Sequence, residues 1–133
     1  MQIDPSIFKA YDIRGVVDKT LTVEAARAVG QALGALALEN HIDALCVGRD
    51  GRLSGPKLAD ALMEGITDMG VNVKSIGMTP TPVLYFATFL TETGSGVAVT
   101  GSHNPPEYNG LKMMMGKDTL YGDGIQALRT RIE

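Results

Sequence analysis

Within Thr100-Gly101-Ser102-His103-Asn104-Pro105-Pro106-Glu107-Tyr108-Asn109-Gly110-Leu111-Lys112, a serine hydroxyl, an imidazole, two carboxamides and an amine lie close together. Glycine and proline restrict the backbone here, so the stretch reads as one ordered loop between an apolar run at 96–99 and another at 111–115. A hydroxyl held on a rigid loop at a strand end is a common setting for a nucleophile or a phosphoryl carrier. By residue type alone, the same stretch serves equally as a polar connection between two strands. A second candidate is Phe8-Lys9-Ala10-Tyr11-Asp12-Ile13-Arg14-Gly15, a short extended piece ending in a glycine turn. Alternation puts Tyr11 and Ile13 on one side of it and Asp12 and Arg14 on the other. Arg14 by itself reads as a surface arginine, although its guanidinium fork matches phosphate oxygens.

These groups need a scaffold, and the pattern supplies alternating helices and strands. Residues 22–40 form a helix that Thr22 can cap, with Glu24 against the dipole and Val23, Ala26, Val29, Leu33 and Leu36 on the apolar side. His41 follows its end and reads as solvated. The run 44–47 is apolar throughout, which predicts a strand buried on both faces. Arg49, Asp50 and Arg52 in the following polar loop are expected to pair with one another or steady neighbouring loops. Pro56 opens a helix carrying Leu58, Leu62, Ile66 and Met69, Gly70 stops it, and 71–76 is the next strand. Thr81 and Pro82 start a short helix whose Val83, Leu84, Phe86, Phe89 and Leu90 ring its circumference, which predicts burial. Met113 to Met115 read as core filler. Asp123 or Gly122 opens a last helix with Ile125, Leu128 and Ile132 inward, and its lack of a closing cap suggests a longer polypeptide.

The expected fold is therefore one α/β domain over residues 1–133, a three-layer sandwich with helices on both faces of a mixed four-stranded sheet. Strands 44–47, 71–76 and 96–99 should be parallel; 110–115 should be an antiparallel edge strand, since the loop before it is too short for a crossover.

Composition removes several function classes. The chain has 44% hydrophobic and 20% charged residues, a net charge of −3 and no basic tract, which argues against nucleic-acid binding. The isoelectric point near 5.3 means that an anionic ligand would need local positive charge. No run approaches the ~18 residues of a membrane span, and Met1-Gln2-Ile3-Asp4-Pro5 lacks the regions of a signal peptide, so the expected compartment is the cytoplasm. The single cysteine, Cys46, reads as a small buried apolar residue. Gly116-Lys117 is no Walker loop, because position 111 holds Leu111 and Asp118 stands where Ser or Thr is needed. No Gly-x-Ser-x-Gly elbow surrounds Ser102, and His41, His103 and Cys46 have no metal-ligand spacing.

The stretch from Thr100 to Lys112 resembles the active-serine loop of the α-D-phosphohexomutases (phosphomannomutase/phosphoglucomutase), which runs Thr-(Gly or Ala)-Ser-His-Asn-Pro and then Asn-Gly-x-Lys. Every one of those positions is filled here. Residues Phe8 to Gly15 are similar to the family's opening motif, and Gly48 to Ser54 to its Gly-x-Asp-x-Arg-x-Ser loop. The resemblance covers the whole chain but only the first of the family's four domains.

It implies that Ser102 carries the phosphoryl group, that Lys112 assists proton transfer or charge neutralisation, and that Tyr11 and Arg14 reach the active cleft. His103 touches the phosphate or shapes the loop with Asn104. It implies Mg²⁺ on the phosphate oxygen of Ser102, with carboxylates from a second domain, and a glucose or mannose 1,6-bisphosphate intermediate. The implied partners are hexose phosphates and the remaining domains; this domain alone is expected to fold yet turn nothing over. Thr100-Gly101 favours phosphomannomutase/phosphoglucomutase over phosphoglucosamine mutase, which usually has Ser-Ala. The alternative from another class is a non-catalytic phosphosugar-binding or regulatory module on the same fold. One geometric requirement stands: Lys112 lies about 10 Å along its strand, so the loop must fold back to bring Ser102 near it.

Overall fold

A computed structural model describes residues 3–91 and 93–133. In chain order the elements are β1 (Ile13–Val16), α1 (Val23–Glu39), β2 (Ala44–Arg49), α2 (Gly55–Asp68), β3 (Asn72–Met78), α3 (Thr81–Leu90), β4 (Gly96–Val99), β5 (Tyr108–Met115), β6 (Asp118–Thr119) and α4 (Asp123–Ile132), after a 3₁₀ turn at Pro5–Ile7. The helix signals hold locally. Thr22 accepts a hydrogen bond from the Ala25 amide at 3.0 Å, and Gly122 is the N-cap residue of α4. α3 begins one residue earlier than predicted: Pro80 occupies the N-cap position, and Thr81 is already helical and makes no cap.

The class is α/β with a mixed sheet, as expected, but the sheet has six strands, not four, in the order β1-β5-β4-β2-β3 with β6 added to β5. β2 is parallel to β3 and β4; β5 is antiparallel to β4, β1 and β6. β5 is therefore internal, and the predicted edge position belongs to β1. The reason is long-range: Ile13 pairs with Leu111 and Arg14 with Gly110, contacts that a four-residue extended piece cannot announce in sequence.

Directly paired residues share a face of a sheet, and the registers sort the two faces sharply. Ile13, Leu111, Met113, Val97, Val99 and Val47 project to one side into the main core, where α1, α2 and α4 cover them. α1 and α2 pack backbone to backbone: a Cβ on Gly30 would collide with the Leu62 carbonyl, and one on Gly65 with that of Arg27. The opposite face carries Cys46, Gly96 and Ala98, continuing to Lys112, Gly110 and Arg14. Among the described residues α3 alone rests on it, through Leu84 against Cys46 and Ala98.

The predicted burial of α3 is corrected accordingly. Val83, Phe86, Phe89 and Leu90 are 48%, 62%, 54% and 69% exposed, because a single helix with no second layer over it can bury only its inward side. By contrast the three methionines of β5 and Cys46 are buried as expected.

Candidate functional site

The loop after β4 is held in place by the loop after β2. Asp50 Oδ2 accepts the Thr100 hydroxyl at 2.9 Å and the Gly101 amide at 3.0 Å. The Arg52 guanidinium donates to four carbonyls of the serine loop: Asn104 and Pro105 at 2.6 Å, Ser102 and Tyr108 at 3.1 Å. Its Nε also donates to Asp50 Oδ2 at 3.3 Å. This is the steadying of a neighbouring loop expected of these residues, and its extent explains Gly101. A Cβ there would run into the guanidinium itself. Buried Asn109 fixes the exit of the loop, donating from Nδ2 to Ser54 Oγ at 2.8 Å and accepting the Gly110 amide at 2.9 Å.

Burial opposes ionisation of Asp50. Hydrogen bonds from the amides of Arg52 and Gly101 and from the Thr100 hydroxyl, with the Arg52 charge, outweigh it and hold the carboxyl below its ordinary value. The carboxylate therefore stays charged and the clamp stays closed at neutral pH.

Ser102 stands on the exposed crown of this loop with φ +52°, a left-handed conformation that costs a non-glycine residue roughly 1–2 kcal/mol. Its amide donates to Thr100 Oγ1 at 3.1 Å and its carbonyl accepts from Arg52. The loop thus holds Ser102 at the surface in a strained backbone conformation. His103 is exposed beside it.

Two adjoining clefts lie on the open face of the sheet. One, of about 330 Å³, is lined by Lys9, Tyr11, Asp12, Arg14, Tyr85 and Lys112, among others. The second, of about 450 Å³, includes Lys9, Arg14, Thr20, Asn104 and Tyr108. Arg14 borders both; its Nη1 donates to Asn104 Oδ1 at 3.4 Å, and its Nε lies 3.8 Å from Asp12. Strand register puts Arg14 and Lys112 on the same face, since they pair with Gly110 and Ala98 and glycine 110 leaves the floor between them bare. Three cations against one carboxylate give the first cleft a local positive charge within a chain of net charge −3.

Of the residues singled out from sequence, Tyr11, Arg14 and Lys112 meet in one cleft, and Asn104 joins Arg14 in the next. Tyr11 was expected on the side opposite Arg14. It precedes β1, so the strand alternation does not reach it, and it turns 76% exposed toward the same cleft. The loop does fold back, bringing Asn104 to Arg14, yet Ser102 and His103 line neither cleft. Sequence reading missed Lys9 and Tyr85. Lys9 sits inside a quoted motif and could have been found; Tyr85 is placed only by the docking of α3. Among the described residues no three His, Cys, Asp or Glu side chains gather closely enough to hold a metal ion. No helix among them is long and apolar enough to cross a membrane.

Comparison with known proteins gives concordant matches. Residues 5–133 match the family described as phosphoglucomutase/phosphomannomutase, alpha/beta/alpha domain I. A phosphoglucomutase of Neisseria meningitidis serogroup B is 58% identical over 127 residues, covering 96% of this chain and 28% of that protein. A phosphomannomutase/phosphoglucomutase of Pseudomonas aeruginosa is 55% identical over 128 residues, with the same coverage of 96% and 28%. The crystal structure of a phosphoglucomutase/phosphomannomutase family protein from Burkholderia thailandensis superposes with a TM-score of 0.93 at 50% identity, covering 98% of this chain and 30% of the other. The chain thus spans about 28% of the length of the curated relatives it matches.

Proposed function

Because the chain belongs to the phosphoglucomutase/phosphomannomutase family, matching its domain I, we propose that it is the active-serine domain of a four-domain phosphohexomutase. In this reading Ser102 is phosphorylated, and a hydroxyl oxygen of a hexose monophosphate attacks the phosphorus. The new O–P bond forms as the bond to Ser102 Oγ breaks, and the hydroxyl proton passes to a base. The bisphosphate then returns the phosphoryl group from its other end to Ser102, so that phosphate has moved between the 1- and 6-positions. Glucose or mannose 1,6-bisphosphate is the intermediate.

The observation that carries this reading is the strained, exposed Ser102 on a loop clamped by Arg52 and Asp50, whose Asn104 reaches Arg14 at the border of the cationic cleft. A binding module needs cations but has no use for an acceptor hydroxyl. A phosphoserine brings roughly −2 of charge, which in this reading Arg14 and Lys112 offset as a second anion approaches. Lys112 assists proton transfer or neutralises charge, Tyr11 and Arg14 bind substrate, and His103 and Asn104 shape the phosphate side of the loop. Mg²⁺ would supply charge stabilisation through the phosphoserine oxygen, with carboxylates from outside this domain.

The test is intact mass of the full-length enzyme after incubation with glucose 1,6-bisphosphate. The unmodified protein should gain one phosphoryl group, while Ser102→Ala should gain none and nearly lose turnover. Full activity in Ser102→Ala would end this reading.

A further inference from the structure

Tyr85 belongs to none of the motifs quoted above, yet it forms a wall of the cationic cleft, on α3, across from β1 and β5. Its ring is half-buried against the cluster of Cys46, Leu84 and Ala98, which fixes its direction. Its hydroxyl makes no hydrogen bond with any described residue. Among those residues no buried side-chain polar atom is left without a partner, so the hydroxyl is the open end of the side chain. A phenol anchored at the ring and free at the tip is a preorganised hydrogen-bonding group, because only two torsions need fixing on binding. Burial raises its pKa further above the ordinary phenol value, so it stays neutral at working pH and can both donate and accept.

The cleft therefore divides chemically. Lys9, Arg14 and Lys112 supply charge suited to phosphate oxygens. Tyr85 adds a neutral hydroxyl and an aromatic surface, suited to the hydroxyls and C–H groups of a sugar ring. Resting on the phosphohexomutase reading, we propose that Tyr85 is a substrate-binding residue whose hydroxyl hydrogen-bonds the hexose ring while the three cations face the phosphoryl group in transfer.

Tyr85→Phe keeps the ring and its packing and removes only the hydroxyl. In the full-length polypeptide carrying this domain, it should raise KM for glucose 1-phosphate about three- to tenfold, the range of one net hydrogen bond. Competitive inhibition by inorganic phosphate, thermal midpoint and phosphoryl occupancy of Ser102 should stay unchanged. A KM within 1.5-fold of the unmodified enzyme overturns the assignment. So does an equal weakening toward inorganic phosphate, which would mean that Tyr85 acts by placing Lys112. If the unmodified enzyme neither turns over hexose phosphates nor gains a phosphoryl group on Ser102, the phosphohexomutase reading itself has failed. Normal turnover with an indifferent Tyr85→Phe refutes this inference alone.

Discussion

The two faces of the sheet are built on opposite plans. One is paved with Ile13, Val97, Val99, Leu111 and Met113 and sealed by three helices; the other offers glycine, alanine and cysteine under one helix, then Arg14 and Lys112 in the open. Leu111 and Lys112 are neighbours in β5, and the two-residue period of a strand sends one to each plan. Small residues let α3 lie close over β2 and β4, so that the cations of β1 and β5 face a cleft in place of a core. The sealed face carries stability and the open face is the one to which we assign chemistry, a division that point substitutions can break.

The largest effect should come from the open face. Lys112→Met in the full-length enzyme should lower turnover by ~10²–10⁴, the usual worth of a positioned acid or base. It should leave thermal stability nearly unchanged, since the residue packs in no core cluster. A loss under about threefold would return Lys112 to the surface.

Its neighbour should behave in reverse. Leu111→Ala removes a fully buried side chain from the sealed face and should cost about 2–5 kcal/mol in denaturant unfolding. A cost below about 1 kcal/mol would show that the sealed face is looser than its packing indicates.

Between these stands the loop clamp, which belongs to both plans. Arg52→Met leaves four loop carbonyls without their charged donor and should destabilise by about 2–3 kcal/mol while slowing phosphorylation of Ser102. Gly101→Ala should reproduce the defect, because its methyl displaces the guanidinium. The clamp also has a pH signature. The folded-state pKa of Asp50 is lowered, so its contribution is full above the ordinary carboxylate range and is lost as pH falls through the lowered value. Acid unfolding curves of the unmodified protein and Asp50→Asn should therefore converge at low pH. Curves that stay parallel would remove Asp50 from the account.

The smallest effect is expected on the outer side of α3. Phe86→Ser and Phe89→Ser should each change stability by no more than about 0.5 kcal/mol, as for exposed positions in general. A larger loss would mean that α3 depends on its outer surface, and the contrast between the faces would narrow.

The helices were legible because their signals are local. Thr22 caps α1, Gly70 follows the end of α2, and the apolar spacing of α2 and α4 marks what they bury. The loop from Thr100 to Lys112 was legible as one ordered segment, although residue type alone left it equally a polar connection and only its resemblance to a known loop marked it for phosphoryl chemistry. What sequence could not decide was anything resting on partners far along the chain. β1 pairs with a strand nearly a hundred residues away, which moved β5 from the edge to the interior. The exposure of α3 depends on how many helices reach its side of the sheet, and an apolar helix looks the same whether or not a second layer covers it. Arg52 grips a loop 50 to 56 residues onward. Tyr85 enters the cleft only because Ala98 and Cys46 let its helix sit close. Sequence determined which groups are available for the chemistry, through short-range backbone and side-chain preferences. Tertiary packing decided which of them meet, because strand register and the layering of helices are set by contacts that local preferences do not encode.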